Sequence, residues 1–434
     1  MSRVTLDPLR WTEQPARATV SVDGGAPRVH LQLTSPREVA AMCVGRPVEE
    51  LPRILSILSP SHHLCAAQAL DRLFGVTPPP VATTTREALR LALFLRHHLR
   101  KLYFLASSVE RPFADFWPEG ARRRPHGLRP LLEELMRHVS AAQEAAAILG
   151  GRADHPVTAV AGGVTRALKP EHLVRLAELA GAQVSFAERL AGFLRERVFA
   201  QGEILGDVRA VDAGPLASLA MAQEPDTVVL RDARGGEVER FASAAVFDKV
   251  ALHQERWSRE PFAFLAAKGW HGFEGAPLDG LFFVGPLARL AAGDPLPTPL
   301  AEAERKRLVE ALGPLPRREV VAAYWALLVE LLAAAERLVA TCDAEKLSDP
   351  ELRTIPDARG REGHAALESP QGLICQQVRA DARGLVEEVR VLDTATANNA
   401  LLGIVAQRAV ESALPQGLGW DEAKQRIELA LLAY

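Results

Sequence analysis

The sequence predicts a mainly helical α+β protein, and three features carry that reading. Long stretches repeat apolar residues at helical spacing, over 127–149 and 171–200. Short stretches instead alternate around glycine-bearing turns, at Asp23-Gly24-Gly25, Arg234-Gly235-Gly236 and Asp381-Ala382-Arg383-Gly384, as β-hairpins do. A chain of 434 residues that is 48% hydrophobic can also bury a substantial core, in one large domain or two tightly joined ones.

Composition narrows the function classes. The net charge of −3 is small, and no basic run with interleaved aromatics is present, so nucleic acid is not an expected partner. The start, Met1 to Pro8, has no apolar core of a signal peptide. The most apolar helical stretch, Val321 to Thr341, is interrupted by Glu330, Glu336 and Arg337, so neither export nor membrane insertion is expected. Four scattered cysteines, Cys43, Cys65, Cys342 and Cys375, form no Cys-x-x-Cys pair, which suits a reducing cytoplasm better than a disulfide framework.

In chain order, residues 17–33 read as a hairpin and a helix follows from about Ser35. A helix is predicted from Pro60 to Phe74: Ser59 can cap it, Pro60 suits its first position, Leu64, Ala67, Leu70, Leu73 and Phe74 recur at helical spacing, and Gly75 can end it. After Thr77-Pro-Pro-Pro80 comes a helix from about Thr84 to Ser107. Its adjacent His97 and His98 cannot face the same way, so at most one points at any site, and a polar helix–helix contact is the plainer role. The basic run Arg122 to Arg124 reads as a solvated turn or a docking patch. Gly162-Gly163 marks a turn or a close backbone approach, and His155 is restricted by Pro156. A second hairpin covers 225–245, helices span about 301–312 and 317–341, a third hairpin surrounds 378–391, and a last helix runs from Asp421 to about Leu432.

Several segments, in order, resemble the large subunits of nickel-iron hydrogenases. Arg53-Ile-Leu-Ser-Ile-Leu-Ser-Pro-Ser-His62 is similar to that family's Arg-x-Cys-Gly-x-Cys-x-x-x-His, with Arg53 and His62 in register but Leu55 and Leu58 where the metal thiolates stand. Gly151-Arg-Ala-Asp-His-Pro156 with Gly162-Gly-Val164, Val284-Gly-Pro-Leu-Ala-Arg289, and Glu368-Ser-Pro370-Gln371-Gly372 resemble three further family motifs. In the last of these Gln371 replaces an arginine, keeping hydrogen bonding without charge. Ala40 occupies the place of a proton-passing glutamate, Asp393 to Asn399 resembles a loop bearing threonine and asparagine, and the sequence stops at Tyr434, one residue before the family's second cysteine motif.

The resemblance implies one hydrogenase large-subunit-like domain over 1–434: a hairpin at 17–33, a vestigial metal-motif helix at 53–75, a helical core at 84–200, a hairpin and loop insert at 201–300, and C-terminal helices with a hairpin at 301–434. It also implies that hydrogen chemistry is lost, because leucine cannot coordinate a metal. No nickel is expected. The degenerate pattern resembles the HupK and HoxV accessory proteins, which implies a non-catalytic, cytoplasmic maturation factor. Such a factor would transiently hold an Fe(CN)2(CO) centre between a HypC-type iron-carrying chaperone and a hydrogenase large-subunit precursor. The alternatives are a quinone-site-like core or structural subunit of a respiratory or hydrogenase complex, and an enzyme with an altered metal site. Cavity candidates on this reading are Arg53, His62, Glu368, Pro370 and Gln371. Cys65, three residues from His62 on one helix, and Cys375, three beyond Gly372, are the candidate iron thiolates, with small apolar core residues as the competing role.

Overall fold

A computed structural model describes residues 2–9, 15–22, 26–34, 39–108, 129–200, 205–272, 278–293, 295–356, 360–414, 417 and 419–434. The turn at 23–25, the helix start expected near Ser35 and the basic run at 122–124 lie outside them. The helices are α1 (Val39–Cys43), α2 (Leu51–Leu55), α3 (Pro60–Phe74), α4 (Pro80–Ser108), α5 (Arg129–Gly150), α6 (Pro170–Leu194), α7 (Val246–Lys249), α8 (Pro286–Ala291), α9 (Pro299–Leu312), α10 (Val320–Thr341), α11 (Ala344–Leu347), α12 (Thr394–Ala413) and α13 (Trp420–Ala433). The strands are β1 (Ser2–Leu9), β2 (Ala16–Val22), β3 (Arg28–Leu33), β4 (Ala159–Val160), β5 (Gly163–Val164), β6 (Ala217–Met221), β7 (Thr227–Arg231), β8 (Glu237–Ala242), β9 (Val250–His253), β10 (Phe262–Leu265), β11 (Phe282–Phe283), β12 (Glu362–Ser369), β13 (Gly372–Ala380) and β14 (Val386–Leu392).

The expected α+β, mainly helical architecture is what forms. Helix α10 is its axis. Sixteen of its side chains are buried, so it is apolar nearly all round, as a helix enclosed by others must be. It packs against α4, α6, α8, α9 and α13, and Tyr324 Oη donates 2.7 Å to the Leu429 carbonyl of α13. No helix among the described residues is long and apolar enough to cross a membrane.

Three elements exceed the sequence reading. The N-terminal hairpin gains a third strand, β1, antiparallel to β2. The insert holds a four-stranded sheet, β11-β6-β7-β8, in which β11 runs parallel to β6, so it is more than a hairpin. The C-terminal hairpin is preceded by β12, and Ser369 pairs with Gly372, which makes Pro370-Gln371 the tip of a tight turn rather than a lead-in.

Helix α3 lies on this last sheet, against β12 and β13, and that packing places the vestigial motif. It ends as expected, on Gly75 in the left-handed conformation. Ser59 sits at the cap position, but its hydroxyl makes no capping bond there.

Candidate functional site

A small cavity of about 40 Å³ opens where α3, the β12–β13 turn and the start of α12 meet. Its lining includes His62 from the first, with Leu58 and Ser59 just before that helix, Gln371 from the second, and Asp393, Thr394 and Asn398 from the third, together with Tyr434.

His62 is buried, and its Nδ1 lies 2.9 Å from Gln376 Nε2. The amide nitrogen only donates, so Nδ1 is the acceptor and the ring proton sits on Nε2. Burial pushes the imidazole down to about 3, which keeps it neutral. Gln371 Oε1 accepts from the Ser369 hydroxyl at 3.2 Å, and that hydroxyl also reaches the Gly372 carbonyl at 2.8 Å. Asn398 pairs with both backbone groups of Val284, accepting from its N–H at 2.9 Å and donating to its C=O at 3.1 Å. Asp393 caps α12 by accepting from the Thr396 N–H at 2.8 Å. The segment 394–399, read from sequence as a loop, is therefore the first turn and a half of a helix.

A buried charge cluster lies behind the Pro370-Gln371 turn. Arg289 of α8 forks onto Glu330 of α10 at 2.5 and 2.6 Å and reaches Glu368 at 2.7 Å. His98 Nε2 meets Glu330 Oε2 at 3.1 Å, so His98 makes the polar helix–helix contact between α4 and α10. Burial works to raise Glu330, but the Arg289 guanidinium outweighs it and holds the carboxyl at about 2. Glu368 comes out raised, burial there exceeding the pull of Arg289. Beyond the cluster a groove of about 1080 Å³ runs between α3, α4, α8 and α10.

The structure gathers His62, Gln371 and Leu58 and separates the other candidates. Arg53 is exposed, because the single turn of α2 buries Leu51, Pro52 and Leu55 and thereby turns position 53 outward. Leu55 is wholly enclosed in an apolar cluster with Val39, Leu70 and Ile374. Glu368 lines the groove, not the small cavity, and the Pro370 carbonyl accepts from Arg289 at 3.0 Å. Neither Cys65 nor Cys375 is in the cavity lining. Cys65 Sγ faces the Ala365 carbonyl at 3.7 Å, and burial pushes both thiols far up. His62 and Cys65 share one side of α3, but across that interface one meets β13 and the other β12.

Sequence reasoning missed His63, which staples three segments: Nδ1 donates to the Pro52 carbonyl at 3.0 Å, and Nε2 accepts from the Ala159 N–H at 3.0 Å. It also missed Arg289 and Glu330 as a pair. A glutamate midway through an apolar helix was the available signal, since a buried charge needs a partner.

A nickel-iron pair does not suit this lining. The cavity wall offers imidazole, amides, hydroxyls and one carboxylate, and its Leu58 is an alkyl group where the family motif has a thiolate, the soft donor such metals take.

Comparison with known proteins supplies the lineage. No family model matches the chain. It is 26% identical over 436 residues to an iron-sulfur subunit of the F420-non-reducing hydrogenase of Archaeoglobus profundus, across 95% of this chain and 88% of the relative. It is also 26% identical over 478 residues to the NAD-reducing hydrogenase HoxS subunit beta of Cupriavidus necator, across 100% and 93%. A solved NAD+-reducing nickel-iron hydrogenase superposes with a TM-score of 0.87 at 26% identity, covering 100% of this chain and 97% of that one. Its homologues are hydrogenase large-subunit-like. The nickel-iron-selenium hydrogenase of D. vulgaris Hildenborough, at TM-score 0.74 and 17% identity, shares the fold. In this hydrogenase-like chain the cavity at His62 and Gln371 is formed by the segments that carry the sequence resemblance.

Proposed function

We propose that this hydrogenase-like protein is a non-catalytic maturation factor that transiently holds an Fe(CN)2(CO) centre on its way from a HypC-type chaperone to a hydrogenase large-subunit precursor. One observation supports the reading above others. The cavity keeps its hydrogen-bonding wall of His62, Gln371 and Thr394, while the thiolate position beside it is Leu58. Such a wall donates to the nitrogen and oxygen ends of cyanide and carbonyl without gripping the metal, which suits cargo that must leave. On this reading nickel is not bound and hydrogen is not split.

The test is infrared spectroscopy of protein purified anaerobically from a host expressing the maturation set. Cyanide and carbonyl stretching bands are expected. Their absence in protein that still captures the chaperone, or hydrogen-dependent dye reduction by pure protein, would sink the proposal.

A second reading, a structural component of a hydrogenase complex, is favoured by the relatives being named as subunits and by exposed apolar side chains at Met42, Val44 and Ile57 near α2. Stable co-purification with hydrogenase subunits, with neither chaperone nor infrared bands, would support it instead.

A further inference from the structure

Arg289 uses every hydrogen-bond donor it has. Nε donates to Glu330 Oε1 and Nη2 to Glu330 Oε2, while Nη1 donates to Glu368 Oε2. The two remaining N–H groups reach the backbone, Nη1 to the Ser369 carbonyl at 2.9 Å and Nη2 to the Pro370 carbonyl at 3.0 Å. Those are the two carbonyls immediately before Gln371. The acceptors are anchored in turn: Glu330 by His98, and Glu368 by the Met221 N–H at 2.8 Å. The guanidinium also lies 5.2 Å from the centre of the Phe94 ring.

The far side of the turn is equally constrained. Gly285 has φ +118°, and a Cβ there would stand 2.8 Å from the Gln371 carbonyl oxygen. A Cβ on Gly372 would stand 2.4 Å from Val284 Cγ2. The Gln371 backbone is thus held between Arg289 and the Val284-Gly285 segment, with its side chain on the cavity wall.

We propose that Arg289 is the positioning residue of the cavity, setting through the Ser369 and Pro370 carbonyls where the Gln371 amide meets a bound ligand. Only the identity of that ligand, an iron carrying cyanide and carbonyl, rests on the function proposed above. The planar fork is essential to the role. It spans two carboxylates and two carbonyls at fixed angles, which the three donors of a lysine ammonium cannot do.

Two measurements on the full chain test the inference. In hydrogen–deuterium exchange, Arg289→Lys should accelerate the amides of 369–373 by about tenfold while 376–379 on the same strand stay within about twofold. Glu368→Gln, which keeps the side chain's shape, serves if the lysine variant does not fold and should accelerate the same amides by about threefold. Unchanged exchange at 369–373, or equal acceleration along all of β13, would overturn the assignment. In protein carrying infrared bands, Arg289→Lys and Gln371→Ala should shift the cyanide stretches alike, and the double variant should add nothing. Cyanide bands that move for Gln371→Ala but not for Arg289→Lys would overturn it too. A wild-type protein without bands refutes the cargo reading and leaves the exchange result to decide the positioning role.

Discussion

Replacing Asp71 by Asn should destabilise the fold by about 3 kcal/mol, because Asp71 anchors the charge that joins α3, α4 and the β4–β5 turn. Its carboxylate accepts from Arg86 Nη1 at 2.5 Å and Nη2 at 3.3 Å, and from the Gly162 N–H at 2.7 Å. The two side chains are only 10% and 8% exposed, so water does little to screen them. Removing one member of a buried pair costs about 3–5 kcal/mol, since the other charge is left in low dielectric. The lower end applies here. Arg86 Nη2 keeps the Val160 and Gly163 carbonyls at 2.6 and 2.9 Å, and the Asn oxygen can still take the Gly162 N–H. For a chain of 434 residues, ~1 kcal/mol lowers Tm by about 1 °C, so a fall of about 3 °C is expected by calorimetry, with a matching shift in denaturant midpoint. The double variant Asp71→Asn, Arg86→Gln should cost less than the two single variants added together. A single variant that melts within about 0.5 °C of wild type would refute the argument that this pair is buried and cooperative.

Further outcomes follow from the same geometry. Burial holds His62 at about 3 and His63 at about 4, both below the ordinary value of 6.5, so the unfolded chain takes up protons that the fold does not. The stability they leave intact above pH ~6.5 is lost as pH falls toward 4, by up to about 2.7 kcal/mol per pH unit for the pair, and denaturation midpoints between pH 7 and 5 will show whether the slope flattens in His62→Gln, His63→Gln. Gly162→Ala should destabilise by more than about 3 kcal/mol, because φ is +79° and a Cβ would lie 2.0 Å from the Thr354 carbonyl oxygen; normal thermal melting of that variant would refute the close approach. Cys65 and Cys375, buried with thiols shifted far up, should resist alkylation at pH 8 until the protein unfolds, and rapid labelling of native protein at either site would contradict the packing. Leu55→Ala should cost about 2–5 kcal/mol in chemical denaturation, as for a fully enclosed leucine, and a change below about 1 kcal/mol would place that side chain outside the core.

Much of this architecture was legible in the sequence because it rests on local rules. Helix α3 begins at Pro60 and stops at Gly75 because proline fits a first turn and glycine accepts the left-handed conformation. The helices over 127–149 and 171–200 and the hairpin over 225–245 declare themselves by period, 3.6 against 2. The anchor at His62 and the one at Gln371 were likewise readable, since Arg53 and His62 keep their spacing in the first run and Glu368, Pro370 and Gly372 keep theirs around Gln371 in the second. Strand β12 was not readable, because it is fixed by pairing with a partner strand and not by its own alternation; β1 does alternate, Val4 and Leu6 lying between the exposed Arg3, Thr5 and Asp7, and that short signal was missed. The parallel pairing of β11 with β6 joins segments some sixty residues apart, and no local signal encodes it.

Only the tertiary structure decided which candidates share a site. Spacing placed Cys65 beside His62 on one side of α3, but the sheet packed there offers β13 to one and β12 to the other, so the imidazole reaches the cavity and the thiol does not. Spacing likewise said nothing about Arg289, Glu330 and Glu368, which belong to three elements and meet because α8 and α10 pack together beside the β12–β13 turn. By itself the sequence determined the helices, the turns and the substitution of Leu55 and Leu58. Long-range packing decided which side chains line the cavity, because the direction of a side chain is fixed by what its whole element packs against.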